Sequence, residues 1–152
     1  MKHYPNVAAL ESLVGSILGI SDWLVIDQPR IDQFAAVTGD DQWIHVSPVR
    51  AAASPFGRTV AHGFLTLSLI PALLHTSHHI DGVLMGVNYG LNRVRFPASV
   101  PVGSRVRGQF KLLSFERITG GAQLVHEATI EREGHAKPVC VAETVTRLYS
   151  AA

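Results

Sequence analysis

A short segment that follows a predicted helix, residues 38–45 (TGDDQWIH), gathers two carboxylates and an imidazole. Asp40 and His45 can each accept a proton at neutral pH, because their ordinary pKa values lie near ~4 and ~6.5. The loop between them is long enough to bring both side chains around one water molecule, as acid–base catalysis requires. The structural alternative is that Asp40 caps the next turn and His45 packs at a helix start.

A second candidate segment, residues 59–64 (TVAHGF), begins a strongly apolar stretch. The first N–H groups of a helix have no partner within the helix, so they can hold a carbonyl oxygen as it gains negative charge. Gly63 would allow a ligand to approach the backbone closely. The alternative is that Gly63 only relieves crowding where two elements cross. His62 would then be a partly buried histidine whose ring nitrogens have hydrogen-bond partners.

Helices are predicted on both sides of the first segment. Asp27 has the properties of an N-cap, with Pro29 in the first turn of a helix that ends at Gly39. Another short helix is predicted from Ser47 through Ala53 by the same capping argument. Earlier in the chain, apolar residues at helical spacing predict an amphipathic helix over residues 6–18.

The apolar stretch from Gly63 to Leu74 predicts a helix that is buried on all sides, with a kink at Pro71. After Gly82 the apolar period changes to two, which predicts strands over residues 83–96, 105–115, 123–133 and 138–149. Helices followed by an antiparallel sheet with one dry face indicate an α+β fold, in which residues 1–152 form one domain.

Composition excludes several classes of function. Apolar residues make up 47% and charged residues 16% of the 152 residues, which is typical of a folded domain with a core. The net charge is only +1 and the basic residues are scattered, so nucleic acid is not an expected partner. Cys140 is the one cysteine, so no disulfide can form within the chain. No secretion signal is evident, and the apolar stretch at residues 64–74 is too short to span a membrane. These features predict a cytoplasmic protein with no membrane partner.

Taken together, these motifs resemble the MaoC-like dehydratases, which include the (R)-specific enoyl-CoA hydratases and a nodulation-protein-N-like group. The resemblance extends from about Ser21 to Tyr149 and rests on these segments: residues 34–40 (FAAVTGD), 44–45 (IH), 51–52 (AA), 61–67 (AHGFLTL), 88–97 (NYGLNRVRFP) and 102–104 (VGS). One departure is that the family often has Asn-Pro where this chain has Gln42 and Trp43, which affects the rigidity of the loop.

The resemblance implies a hot-dog fold, in which an antiparallel sheet wraps a long central helix, and a homodimer. It implies that Asp40 and His45 are the catalytic pair and that the backbone N–H of Gly63 forms the oxyanion hole. The expected reaction is the hydration of trans-2-enoyl thioesters of CoA or acyl carrier protein to (R)-3-hydroxyacyl thioesters, and its reverse. No metal or redox cofactor is expected.

Further residues are candidates for substrate binding. His62 adjoins the predicted oxyanion hole, and Asn88, Gly90 and Asn92 share one face of a strand with Gly86, where a ligand could run close to the backbone or the strand could bulge. Arg95 is a candidate for the CoA phosphates, together with Arg93, Arg105 and Arg107, although an ordinary solvated sheet face is the alternative. A histidine group that follows the apolar helix, residues 75, 78 and 79, is interpreted as a surface turn.

Two other functions fit the same fold. A thioester hydrolase would direct the activated water at the carbonyl carbon instead of C3, and would release a free thiol. A non-catalytic acyl-CoA-binding protein would keep the pocket and show no turnover. The spacing of Asp40 and His45 and the His-Gly helix start favour hydration.

Overall fold

Local capping signals decide where the first long helix of the computed structural model begins and ends. The structure describes residues 1–150, so the last two positions of the predicted domain lie outside the described residues. Helix α1, Gln28–Thr38, begins at Asp27, whose carboxylate accepts a hydrogen bond from the Arg30 N–H at 3.0 Å. It ends at Gly39, which has a φ of 77° that favours glycine. Both predicted ends of this helix are confirmed.

The remaining elements surround one sheet and one interrupted helix. In chain order they are β1 (Lys2–Tyr4), a 3₁₀ helix (Val7–Leu13), β2 (Ile17–Ile20), β3 (Leu24–Ile26), α1, α2 (Trp43–Val46), α3 (Pro48–Ala52), α4 (Gly63–Ser68), α5 (Ile70–Ser77), β4 (His78–Ile80), β5 (Val83–Arg95), β6 (Ser104–Ile118), β7 (Gly121–Arg132) and β8 (Cys140–Ser150).

The prediction of a helix over residues 6–18 is wrong in its second half. The 3₁₀ helix stops at Leu13, Gly15 turns the chain with a φ of 89°, and Ile17 begins strand β2. There Ile17 pairs with Lys111 of β6, a partner far away in the sequence. The long-range hydrogen bonds of the sheet therefore override the local helical spacing of the apolar residues.

The main sheet is antiparallel and has the strand order β2-β6-β7-β8-β5, with β3 also pairing with β6. The predicted alternation is confirmed most clearly in β7, where every second residue is buried: Ala122, Leu124, His126, Ala128 and Ile130. Strands β1 and β4 form a separate parallel pair, which the sequence did not predict.

The apolar helix lies against the inner face of this sheet in two pieces. It is interrupted at Leu69, and Pro71 occupies the first turn of α5, where its missing N–H costs nothing. Leu65 and Leu73 are buried in the same cluster as Phe110 of β6, and burial of each such side chain contributes about 1.5–3 kcal/mol. This arrangement confirms the α+β hot-dog fold.

The helix is not buried on all sides, because the side chain of Phe64 is 67% exposed. Strand β5 at the sheet edge is also largely exposed, and its alternation is interrupted by register shifts between Asn88 and Gly90 and between Leu91 and Arg93. These shifts are consistent with the bulge, which is one of the two alternatives left open for this strand. No helix within residues 1–150 is long and apolar enough to cross a membrane.

Candidate active site

Three side chains with acid–base chemistry meet at the start of α4. Asp40 follows the end of α1, His45 lies in the short helix α2, and His62 directly precedes α4. A carboxylate oxygen of Asp40 and one ring nitrogen of each histidine all lie within 4.8 Å of one another. The fold thus brings Asp40 and His45 together, with His62 beside them.

The backbone around His45 holds its ring in one tautomer. The His45 side chain is buried, and its Nδ1 lies 2.6 Å from the backbone carbonyl oxygen of Val60. Because a carbonyl oxygen only accepts hydrogen bonds, Nδ1 carries the proton and Nε2 of the neutral ring keeps a free lone pair. The free lone pair can take a proton from water.

Two side chains that the sequence did not single out support this arrangement. The Gln28 amide donates to the backbone carbonyl of His45 at 2.8 Å, and the Thr59 hydroxyl donates to the Gln28 amide oxygen at 2.5 Å. Thr59 is almost fully buried. Gln28 belongs to the first turn of α1, so this chain of hydrogen bonds ties the segment that contains His45 to that helix.

Gln42 and Trp43, which stand where the family often has Asn-Pro, still form an ordered turn. The backbone N–H of His45 donates to the Gln42 carbonyl at 2.9 Å, and Trp43 begins α2. The guanidinium of Arg50 lies 4.9 Å from the centre of the Trp43 ring, an arrangement that favours a cation–π contact. The predicted loop at residues 40–45 therefore contains one turn of helix.

Burial keeps His45 neutral at physiological pH. Desolvation lowers the pKa of His45 below 6.5, the hydrogen bond to Val60 raises it, the charge of His62 lowers it and the charge of Asp40 raises it. Desolvation is the largest of these effects. His45 therefore remains a proton acceptor at pH 7 while Asp40, which is exposed, faces solvent.

The ring of His62 is held between the other two groups and is only 2% exposed. It stacks on the His45 ring at a centroid distance of 3.7 Å, and its Nε2 donates to the backbone carbonyl of Asp40 at 2.9 Å. Within residues 1–150 its Nδ1 has no hydrogen-bond partner. His62 thus fixes the backbone that carries Asp40.

Gly63 comes next to His62 and is the first residue of α4, so its N–H has no acceptor within the helix. Its own close neighbour is an aromatic ring. A Cβ atom added at Gly63 would lie 2.8 Å from Cδ2 of Phe96, so a larger residue would displace that ring or the helix start. This N–H directly follows His62, one of the three acid–base groups.

The other predicted substrate-binding residues lie apart from this cluster. Asn88 and Gly90 line a hollow of about 360 Å³ between the interrupted helix and strands β5 and β8. Asn92 is exposed on β5. Arg95 lines a different hollow of about 260 Å³ that also contains Glu127 and Glu143, whose carboxylates would repel a phosphate.

Two of the remaining basic candidates are paired with carboxylates on the outer sheet face, whereas Arg93 lines the same hollow as Arg95. Arg105 lies 2.9 Å from Glu133, and Arg107 is hydrogen-bonded to Glu131. His79 and His3 both contact Asp81, at 3.2 and 3.1 Å. These last three side chains, like the Asp40 cluster, have the types and spacing that a divalent metal ion accepts.

Comparisons with known proteins identify the family to which this chain belongs. The model of the MaoC like domain matches residues 10–135. A 3-hydroxyacyl-thioester dehydratase Z of Mycobacterium tuberculosis is 51% identical over 97% of this chain and 98% of that protein. Nodulation protein N of Rhizobium leguminosarum bv. viciae is 47% identical over 95% of this chain and 91% of that protein.

Solved structures share the fold. The unliganded R-hydratase PhaJ1 of Pseudomonas aeruginosa superposes with a TM-score of 0.77 at 24% identity, covering 97% of this chain and 88% of that one. The family model covers most of the chain, and close relatives align over nearly its whole length. The chain belongs to the family of proteins with a MaoC-like domain.

Proposed function

We propose that this protein is a hydratase/dehydratase, a carbon–oxygen lyase that interconverts trans-2-enoyl and (R)-3-hydroxyacyl thioesters. The observation that carries the proposal is the convergence of Asp40, His45 and His62 beside the free N–H of Gly63. The relative named as a 3-hydroxyacyl-thioester dehydratase supports the reaction class. The (R) configuration rests on the family resemblance.

Water is activated by the catalytic pair. Asp40 as a carboxylate and His45 through its Nε2 lone pair both accept hydrogen bonds from one water molecule, and one of them takes its proton as the oxygen adds to C3. The pair then delivers a proton to C2 on the same face of the substrate. In the reverse direction the pair removes the C2 proton, and the C3 hydroxyl leaves as water.

The thioester carbonyl polarises the double bond when its oxygen accepts a hydrogen bond from the Gly63 N–H. Negative charge grows on that oxygen as water attacks C3, and a fixed donor stabilises it more in the transition state than in the ground state. His62 acts as a positioning residue, because its ring holds the Asp40 backbone and stacks on His45.

The carrier of the thioester is proposed to be CoA or acyl carrier protein. The protein is proposed to be cytoplasmic, and its residues 1–152 are proposed to act as one domain. Asn88 and Gly90 are proposed to contact the acyl chain in the hollow beside α5. Asn92 and Arg95 remain proposed contacts of the carrier group. The neighbouring Glu127 and Glu143 weaken the case for Arg95 as a phosphate ligand.

An absorbance assay with crotonyl-CoA and longer trans-2-enoyl-CoAs tests the proposal. We expect the absorbance of the conjugated double bond to fall as the 3-hydroxyacyl product forms, and chiral separation to yield the (R) product. Release of free CoA thiol without loss of the double bond would favour the thioesterase alternative. Tight acyl-CoA binding with neither product would leave a non-catalytic binding protein.

We further propose that the protein is a homodimer that pairs through β5. This edge strand has 13 residues, and it exposes several large apolar side chains: Leu84, Met85, Tyr89 and Leu91. An unpaired edge with such side chains invites pairing with a second copy about a two-fold axis.

Sedimentation equilibrium is expected to give twice the chain mass of 16.4 kDa. Replacing Leu84 and Leu91 together by lysine should produce monomers, because the charges would be buried between the two edges. Val25→Lys, an exposed apolar position in β3 on the far side of the sheet, is the matched control and should remain dimeric. A monomeric wild-type protein would contradict the proposal.

A further inference from the structure

A groove between the interrupted helix and the sheet contains buried polar groups that the proposed reaction does not use. The helix–sheet groove consists of two hollows of about 360 and 380 Å³, which share Pro71 and Asn88. Its walls are mainly apolar, from Leu67, Leu74 and Leu124 among others. Polar side chains also line it: Ser68, His75, His78, His79, Asn88, His126, Thr144 and Thr146.

Two of these residues, His126 of β7 and Thr144 of β8, differ from the others because their polar atoms are buried without a partner in the described part of the chain. Within residues 1–150, both ring nitrogens of His126 and the hydroxyl of Thr144 are buried with no hydrogen-bond partner. The two residues are paired directly across the strands, which places their Cβ atoms about 4.5–5.5 Å apart. Leaving such groups without a partner is costly, so they mark a place where a polar atom of another molecule is needed.

The protonation state of His126 and His78 indicates which kind of ligand the groove can bind. Burial, reinforced by the nearby charge of His78, lowers the pKa of His126 to about 4, and burial also lowers the pKa of His78 to about 4. Both rings are therefore neutral at pH 7, so neither His126 nor His78 provides a cation for a carboxylate. A neutral imidazole offers one donor and one acceptor, and a hydroxyl group can satisfy both.

The groove extends away from the catalytic cluster along one face of the helix. Leu67 follows Gly63 by four residues within α4, so the two residues share a face of that helix, and Pro71 lies beyond the interruption at Leu69. At a rise of 1.5 Å per residue, Leu67 at the near end of the groove lies roughly 6 Å along α4 from Gly63. An acyl chain whose thioester lies at Gly63 can reach it.

We infer that His126 and Thr144 select acyl chains that carry a hydroxyl group remote from the thioester. This inference rests on the proposed function, since it assumes that the thioester binds at Gly63. A plain alkyl chain of the same length would leave three buried polar atoms without partners. A site built to bind a hydroxyl discriminates strongly against the analogue that lacks it.

Binding of unreactive ligands tests the inference without depending on turnover. Saturated octanoyl-, decanoyl- and dodecanoyl-CoA are compared with their ω-hydroxy counterparts by isothermal titration calorimetry. At the best-fitting length, we expect the hydroxylated ligand to bind at least about tenfold more tightly to the wild-type protein. In His126→Leu the preference should vanish or reverse, and in Thr144→Val it should weaken.

Thr129→Val is the matched control, because Thr129 lies on β7 but on its outer face, and its preference should equal that of the wild type. His126→Leu is expected to fold, since it removes two unpaired buried polar atoms. Equal binding of each ligand pair by the wild type would overturn the inference and assign His126 to an internal water. Absence of binding by every ligand would overturn it too.

Turnover assays with both plain and ω-hydroxylated trans-2-enoyl-CoAs distinguish the hydroxyl selectivity from the proposed reaction. Turnover of the plain substrates together with equal binding of the ligand pairs contradicts only the hydroxyl selectivity. Absence of turnover of both kinds of substrate, together with tighter binding of the hydroxylated ligand, contradicts the proposed reaction and leaves the groove as a binding site.

Discussion

Asp40→Asn is expected to lower turnover of trans-2-enoyl-CoA at least ~100-fold, which corresponds to about 2.7 kcal/mol in the activation barrier. The amide has nearly the shape of the carboxylate but cannot take up a proton. Asp40 is exposed and its fold contact is made by its backbone carbonyl to His62, so the variant should keep the wild-type melting temperature. Steady-state kinetics and thermal unfolding measure the two effects separately.

Asp41→Asn is the matched control for this variant. It removes a neighbouring exposed carboxylate, so any general effect of lost negative charge is shared, whereas the catalytic proton acceptor remains. We expect turnover within about twofold of the wild type. Near-wild-type hydration by Asp40→Asn would remove Asp40 from the mechanism, and equal losses in both variants would point to the charge of the loop instead.

His45→Gln is the second substitution with a large expected effect, again a loss of at least ~100-fold in turnover. The glutamine amide can still donate to the Val60 carbonyl, which preserves the buried hydrogen bond now made by Nδ1. It cannot exchange a proton with water. Comparing His45→Gln with the wild type therefore measures the loss of proton transfer while the loop structure is kept. His135→Gln, at an exposed turn, is the control and should leave kcat unchanged.

The pH dependence of the wild type provides an independent check on His45. Its pKa is lowered below 6.5, mainly by burial, so the neutral base persists through neutral pH. Hydration measured as kcat/KM should therefore be constant near pH 7 and fall only below pH 6.5, as His45 becomes protonated. In Asp40→Asn the attraction that raises this pKa is lost, and the acid limb of the residual activity should move to lower pH.

A flat profile down to pH 4 in the wild type would show that no group with the properties of His45 takes part. A profile that falls above pH 6.5 would mean that the reacting imidazole is less buried than His45 is here. Retained turnover in His45→Gln would be equally decisive, because the two proposed proton acceptors would then not act as a pair.

Sequence alone predicted the elements whose stability is local. Helix α1 was placed from Asp27 to Gly39 because the cap hydrogen bond and the left-handed φ involve only adjacent residues. Strands β6 and β7 were placed from alternation, because one dry face forces a period of two, and β8 was placed from its β-branched residues. Asp40 and His45 were candidates because their side chains can exchange protons, whereas their catalytic roles and that of Gly63 were predicted from the resemblance to the MaoC-like dehydratases.

Only the tertiary structure decided which distant groups meet. The helical spacing up to Ile17 was outweighed by pairing with β6, and the contact of His62 with the Asp40 carbonyl joins residues that are 22 positions apart. His126 alternates in step with the buried residues Leu124 and Ala128, so its burial could have been predicted from the sequence. The absence of hydrogen-bond partners for its ring could not have been predicted in this way. Local hydrogen bonds and periodicity are encoded in neighbouring residues, whereas burial and long-range contacts depend on how the whole chain packs.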